Sequence, residues 1–134
     1  MKIHLRDYLH LADDGDCTLA VLCALRAAQD GDTLYLSGLV SEDMDTGELV
    51  AGDMTTETRQ VLNNLERILK QYGSDMSHVL RVDVLLSDFS LRNEMNAEYI
   101  KHFPQEKIPA RVCYGGVDLA AGCKIEIVAI AKKA

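Results

Sequence analysis

The segment that most constrains this chain is Lys124-Ile125-Glu126-Ile127-Val128-Ala129-Ile130-Ala131, a strand-like run that is apolar on both of its alternating faces. Ile125, Ile127, Ala129 and Ala131 fall on one side and Glu126, Val128 and Ile130 on the other, because successive side chains of a strand point to opposite faces. A strand apolar on both sides has to be covered on both sides. The two amphipathic helices upstream suffice for one face. A neighbouring subunit is the economical cover for the second, since oligomers of small domains are usually closed and symmetric. Glu126 then stands at or inside a subunit interface, where a carboxylate is costly unless paired or hydrogen-bonded.

The first of those helices is written over Thr55 to Tyr72, where Val61, Leu62, Leu65, Ile68, Leu69 and Tyr72 make one stripe of a 3.6-residue repeat. Asp53 or Thr55 is placed to cap its start and Gly73 to end it in a left-handed conformation. A second helix is expected from about Ser90, as N-cap, to Phe103, with Leu91, Met95, Tyr99 and Phe103 on one stripe and Pro104 limiting its continuation. Strands are expected over Thr33 to Leu39, Val79 to Leu86, Ala110 to Val117 and Lys124 to Lys132. Thr18 to Ala28 is rich in helix formers and nearly apolar all round, which predicts a buried third helix ending at the Asp30-Gly31 turn. The order of the main elements, β-α-β-α-β-β, describes an α+β domain with helices laid on one face of a sheet.

At 134 residues, 48% of them hydrophobic, the chain has room for one domain and one core. No stretch approaches the roughly 20 apolar residues of a membrane span, and the start lacks a secretory pattern, so a cytoplasmic location is expected. Cys17, Cys23, Cys113 and Cys123 form no C-x-x-C pair and lack histidines at zinc-binding spacing. Free thiols in a reducing compartment are the expectation, with no metal. The formal charge of −7 argues against a phosphate backbone as partner, because no local basic patch offsets it. A single buried arginine is still enough to hold a small anion.

From Thr33 onward the chain resembles the RidA/YjgF family of reactive imine and enamine deaminases, once labelled endoribonuclease L-PSP. Leu34-Tyr35-Leu36-Ser37-Gly38 resembles the family strand that ends in Ser-Gly. Thr58 to Leu65 resembles its first helix, and Asn96-Ala97-Glu98-Tyr99 lies in its second. Pro109-Ala110-Arg111-Val112-Cys113, followed by Lys124 to Ala131, resembles its C-terminal signature and is the specific part of the match. The resemblance implies a chorismate-mutase-like subunit of the bacillus type and a homotrimer whose sheets form a central barrel. It also implies active sites in the clefts between subunits and no cofactor.

On that resemblance Arg111 grips the carboxylate of a 2-imino or 2-enamino acid such as 2-aminoacrylate, a task suited to a planar, permanently charged guanidinium. Glu126 orients or deprotonates the attacking water, and hydrolysis yields a 2-oxo acid and ammonia. Ser37, Asn96, Tyr99 and Cys113 fall at or beside positions lining the family pocket, Cys113 through its backbone rather than as a nucleophile. Taken without the motif, a strand arginine is ordinarily a solvated charge, and a helix tyrosine at apolar spacing is ordinarily core.

The resemblance stops at the N-terminus. The family's usual first strand, which carries a site tyrosine, has no counterpart, and residues 1–32 read instead as a helical segment of a single 1–134 domain. Leu39 stands where the family has a glutamine after Ser-Gly. Three outcomes are compatible with these departures: a different substrate, a reshaped cleft, or a non-catalytic trimeric module that binds a small carboxylate metabolite or a partner enzyme.

Overall fold

A computed structural model of the chain describes residues 26–134. Its described strands are β1 (Ala27–Asp30), β2 (Thr33–Leu36), β3 (Leu39–Val40), β4 (Val79–Leu86), β5 (Ala110–Tyr114) and β6 (Ile125–Lys132). The helices are α1 (Met54–Gln71) and α2 (Arg92–Tyr99). The sheet runs β1-β2-β6-β4-β5, with β3 continuing beside β6. β4 and β5 pair in parallel across the α2 crossover, and the other described pairings are antiparallel.

α1 forms where the periodicity puts it. Asp53 is the cap, its carboxylate accepting from the Thr56 N–H at 2.8 Å. The stripe Val61, Leu62, Leu65, Ile68 and Leu69 is wholly buried against Leu34, Val82, Val84, Ile125 and Ile127 of the sheet. Gly73, at φ +74°, terminates the helix, and the Ser74 N–H closes back on the Leu69 carbonyl at 2.8 Å, the 6→1 bond of a Schellman ending. One acid on this face is buried too. Glu57 accepts from the Lys124 N–H at 3.0 Å and from its ammonium at 3.2 Å, so α1 pins the start of β6 two residues before Glu126.

Several boundaries differ from the expectation. The helix predicted over 18–28 lies, up to residue 25, outside the described residues; its last positions, Ala27 and Ala28, belong to β1. β1 pairs with β2 through a two-residue turn at Gly31-Asp32, with Gly31 at φ +57°. Cross-strand pairing overrides the helix propensity of an alanine pair. Thr33 to Leu39 is not one strand but two, interrupted at Ser37-Gly38, where the register against β6 slips by one residue. β5 stops at Tyr114 rather than Val117, because Gly115 and Gly116, the latter at φ +67°, turn the chain away.

The second helix is α-helical for its eight central residues alone. Phe89–Leu91 and Ile100–His102 are 3-10 turns at its two ends. Ser90 is not the cap: the Asp88 carboxylate accepts from the Ser90 N–H at 2.9 Å. The apolar stripe holds nonetheless, with Met95, Tyr99 and Phe103 buried and the last two rings 4.8 Å apart.

Both helices lie on one face of the sheet. On the other, Tyr35 and Leu80 are about half exposed, at 49% and 48%, and Leu85, Val112, Val128 and Ile130 are partly so. This is the second apolar face of β6 and its neighbours, and none of the described residues covers it.

Candidate active site

The strand register decides which predicted site residues share a face. Arg111 pairs with Val82 and Cys113 with Val84, and those valines are fully buried beneath the helices. Arg111 and Cys113 therefore sit on the helix side of β5, at the edge of the sheet. Glu126 pairs with Leu85 of β4 and Val40 of β3, which places it on the uncovered face with Val128 and Ile130. Within one subunit, Arg111 and Glu126 are on opposite sides of the sheet with β4 between their strands.

On the helix side, α2 brings Asn96 and Tyr99 to Arg111. These three, with Ile100, Ile108 and Pro109, line a cavity of about 410 Å³. The Arg111 guanidinium lies 4.8 Å from the centroid of the Tyr99 ring, a cation-π seat that fixes the side chain without consuming its N–H donors. Tyr99 is 3% exposed, and burial pushes its phenol up to about 12 against the pull of Arg111. Among the described residues, neither the Tyr99 hydroxyl nor the buried Asn96 Oδ1 has a hydrogen-bond partner. Buried polar groups are nearly always satisfied, so this pair is left open to a partner beyond the described residues. Burial also raises the Cys113 thiol, opposed by the positive charges of Arg111 and Arg92, so the cysteine is a neutral wall rather than a thiolate nucleophile at neutral pH.

On the uncovered side, the Ser37-Gly38 interruption lies alongside Glu126. A side chain at Gly38 would collide with Glu126 Oε1, so the missing Cβ is what admits the carboxyl. Burial shifts the Glu126 carboxyl upward, and a raised pKa suits a group that takes and returns a proton. Ser37 flanks this cradle and is held by its N–H to the Arg26 carbonyl at 3.0 Å. Leu39, in the family's glutamine position, is 3% exposed and belongs to the core. It does not line either half.

The six predicted residues thus form two groups, Arg111, Cys113, Asn96 and Tyr99 in one and Glu126 with Ser37 in the other. Arg92, Ile100 and Ile108 were not singled out from sequence. Arg92, Asn96 and Tyr99 stand at positions 0, 4 and 7 of a helix, a stripe that overlaps the apolar one at Tyr99 and is hidden by it. Among the described residues, no group of three His, Cys, Asp or Glu side chains is arranged to hold a metal ion. No described helix is long and apolar enough to cross a membrane.

The family model described as Endoribonuclease L-PSP matches residues 24–133. The chain belongs to this family, the RidA/YjgF proteins. A RutC family protein of Sulfurisphaera tokodaii is 39% identical over 108 residues, covering 81% of this chain and 86% of that one. The human 2-iminobutanoate/2-iminopropanoate deaminase is 38% identical over 99 residues, 74% of this chain and 72% of its own. Among solved structures, RidA from an Antarctic Psychrobacter superposes with a TM-score of 0.75 at 28% identity, covering 80% of this chain and 85% of that one. Yeast Mmf1 superposes at 0.76 and 29%, covering 81% and 86%. The mixed sheet with helices on one face is therefore the family's fold, and the Arg111 motif sits in it at β5.

Proposed function

We propose that this RidA/YjgF chain hydrolyses 2-imino acids, and their 2-enamino tautomers such as 2-aminoacrylate, to 2-oxo acids and ammonia. It does so as a homotrimer, at sites between subunits. The observation that carries the reading is the division of the site residues between two faces of one sheet. A half that anchors a carboxylate and a half that holds a raised-pKa carboxyl make one site when one subunit's helix-side edge meets the next subunit's uncovered face. A closed ring of such contacts also covers the second apolar face of β6. The deaminase names of relatives such as the human protein, 38% identical, support the same chemistry.

In this reading Arg111 binds the C1 carboxylate bidentately. An enamine is first protonated at C3 to give the imine. The Glu126 carboxylate of the adjoining subunit takes a proton from water as its oxygen attacks C2, forming a carbinolamine. That proton passes to the nitrogen to complete the neutral carbinolamine; Glu126 then relays the C2 hydroxyl proton to the same nitrogen as the C–N bond breaks, so both water protons leave in ammonia and the 2-oxo acid remains. Nothing is oxidised or reduced, and one water is consumed.

The test is complementation. Arg111→Ala and Glu126→Gln homotrimers should each lose turnover of 2-iminopropanoate. Trimers reassembled from an equal mixture should recover about a quarter of the wild-type sites, since each mixed ring joins one intact Arg111 to one intact Glu126. Recovery of no activity on mixing, from parents that are folded, would refute the shared site. A wild-type protein no faster than buffer would refute the deaminase.

A further inference from the structure

Arg92 is a second, exposed guanidinium at the start of α2, close enough to β5 for its charge to act on the Cys113 thiol. It stands at the first position of α2, where a cation opposes the helix dipole instead of complementing it. Its guanidinium carbon lies 5.5 Å from the centroid of the Phe89 ring. Phe89 in turn packs directly on Gly115, just past the end of β5. Arg111 is seated in the same way on Tyr99 at the other end of α2. Each arginine is thus held by an aromatic face while its N–H fork is left unengaged: among the described residues, neither is in a salt bridge.

The acids nearby are committed elsewhere. Asp88 caps Ser90. Glu94 accepts from the Thr55 N–H and hydroxyl, both at 3.1 Å. Glu98 takes Arg59, Lys101 and His102. Two exposed cations, without an ion pair among the described residues, consequently flank Cys113, and the charges of both act on its thiol. Along the same stripe, between them, lie Asn96 Oδ1 and the Tyr99 hydroxyl, buried and without partners.

We propose that Arg92 is a second carboxylate anchor, and that the preferred ligand is a 2-imino dicarboxylate. The C1 carboxylate lies on Arg111, the side-chain carboxylate on Arg92, and the imine N–H donates to Asn96 Oδ1. Arg92 and Tyr99 are seven positions apart, about 10 Å along the helix axis. The two guanidinia sit over rings at opposite ends of α2, a span that a five-carbon diacid bridges better than a three-carbon monoacid. 2-Iminoglutarate is the member that fits. The catalytic part rests on the deaminase reading; the binding part does not.

The imino acids can be released in place by amino-acid oxidases acting on glutamate or alanine, with semicarbazide trapping whatever escapes hydrolysis. The wild-type protein should favour 2-iminoglutarate over 2-iminopropanoate. Arg92→Met should lower the ratio of their kcat/KM values by about tenfold or more, the scale of one charge-assisted contact. Arg92→Lys should restore part of it. An unchanged ratio in Arg92→Met, beside normal turnover of 2-iminopropanoate, would overturn the second anchor and leave the deaminase standing. If the wild type turns over neither substrate, the deaminase reading fails and binding decides. 2-Oxoglutarate should then raise the melting temperature more than 2-oxobutanoate does, in an Arg92-dependent way, and equal shifts would overturn the anchor.

Discussion

The two sides of α2 carry polar groups of opposite character. On one, Glu98 is 4% exposed and collects Arg59 at 3.0 Å, His102 at 3.1 Å and Lys101 at 3.2 Å. Burial raises this carboxyl, but the three donors more than reverse that and hold it at about 2. On the other side, Arg92, Asn96 and Tyr99 face β5 with donors and acceptors left over. The same eight-residue helix therefore has one polar face that the described residues finish and one that they do not. A satisfied buried charge is the mark of a structural role; buried neutral polar atoms left open beside a cavity, such as Asn96 Oδ1 and the Tyr99 hydroxyl, are the mark of a binding role.

The sharpest way to break that contrast is at the unfinished side. Arg111→Ala should cost at least about a hundredfold in kcat/KM while leaving the urea midpoint close to wild type, because the guanidinium holds the ligand and not the fold. A loss of stability equal to the loss of activity would erase the distinction.

Glu98 tests the finished side. Glu98→Gln should destabilise the subunit by about 2 kcal/mol in urea unfolding, the worth of hydrogen bonds to a buried charge. Its pH signature has a definite sign. The folded carboxyl titrates at about 2, below its ordinary 4.5, so its contribution is fully present above 4.5 and fades as the pH falls toward 2. The variant should show a flatter acid limb over that window, measured as urea midpoint against pH.

The smallest expected effect has the opposite direction. Asn96→Leu removes an unpaired buried oxygen and should stabilise the subunit by up to about 1 kcal/mol, while lowering kcat/KM. A stabilised variant of full activity would mean that Asn96 Oδ1 is a packing defect and not a ligand contact.

Much of this architecture was legible in the residues. α1, β4 and β6 each carry a repeat that outweighs every alternative, and the double apolar face of β6 announced an uncovered surface before any coordinates did. Ala27 and Ala28 were misread because alanine favours helix locally, whereas β1 owes its existence to pairing with β2, a contact no local window contains. Ser90 was misread as the cap because Asp88 is two positions earlier, ahead of a 3-10 turn that periodicity does not describe. Arg111 and Glu126 were legible through the motif they belong to. That they lie on opposite faces was not, since it depends on the parity of β4, β5 and β6 registers taken together. Arg92 was passed over because its stripe shares Tyr99 with the core.

Gly38 admits Glu126 by having no side chain to put in its way. The carboxyl therefore occupies the space that any larger residue at position 38 would claim. What would yield is the free end of the Glu126 side chain and not the backbone beside it, so the smallest residue in the sequence sets which rotamer the glutamate can hold.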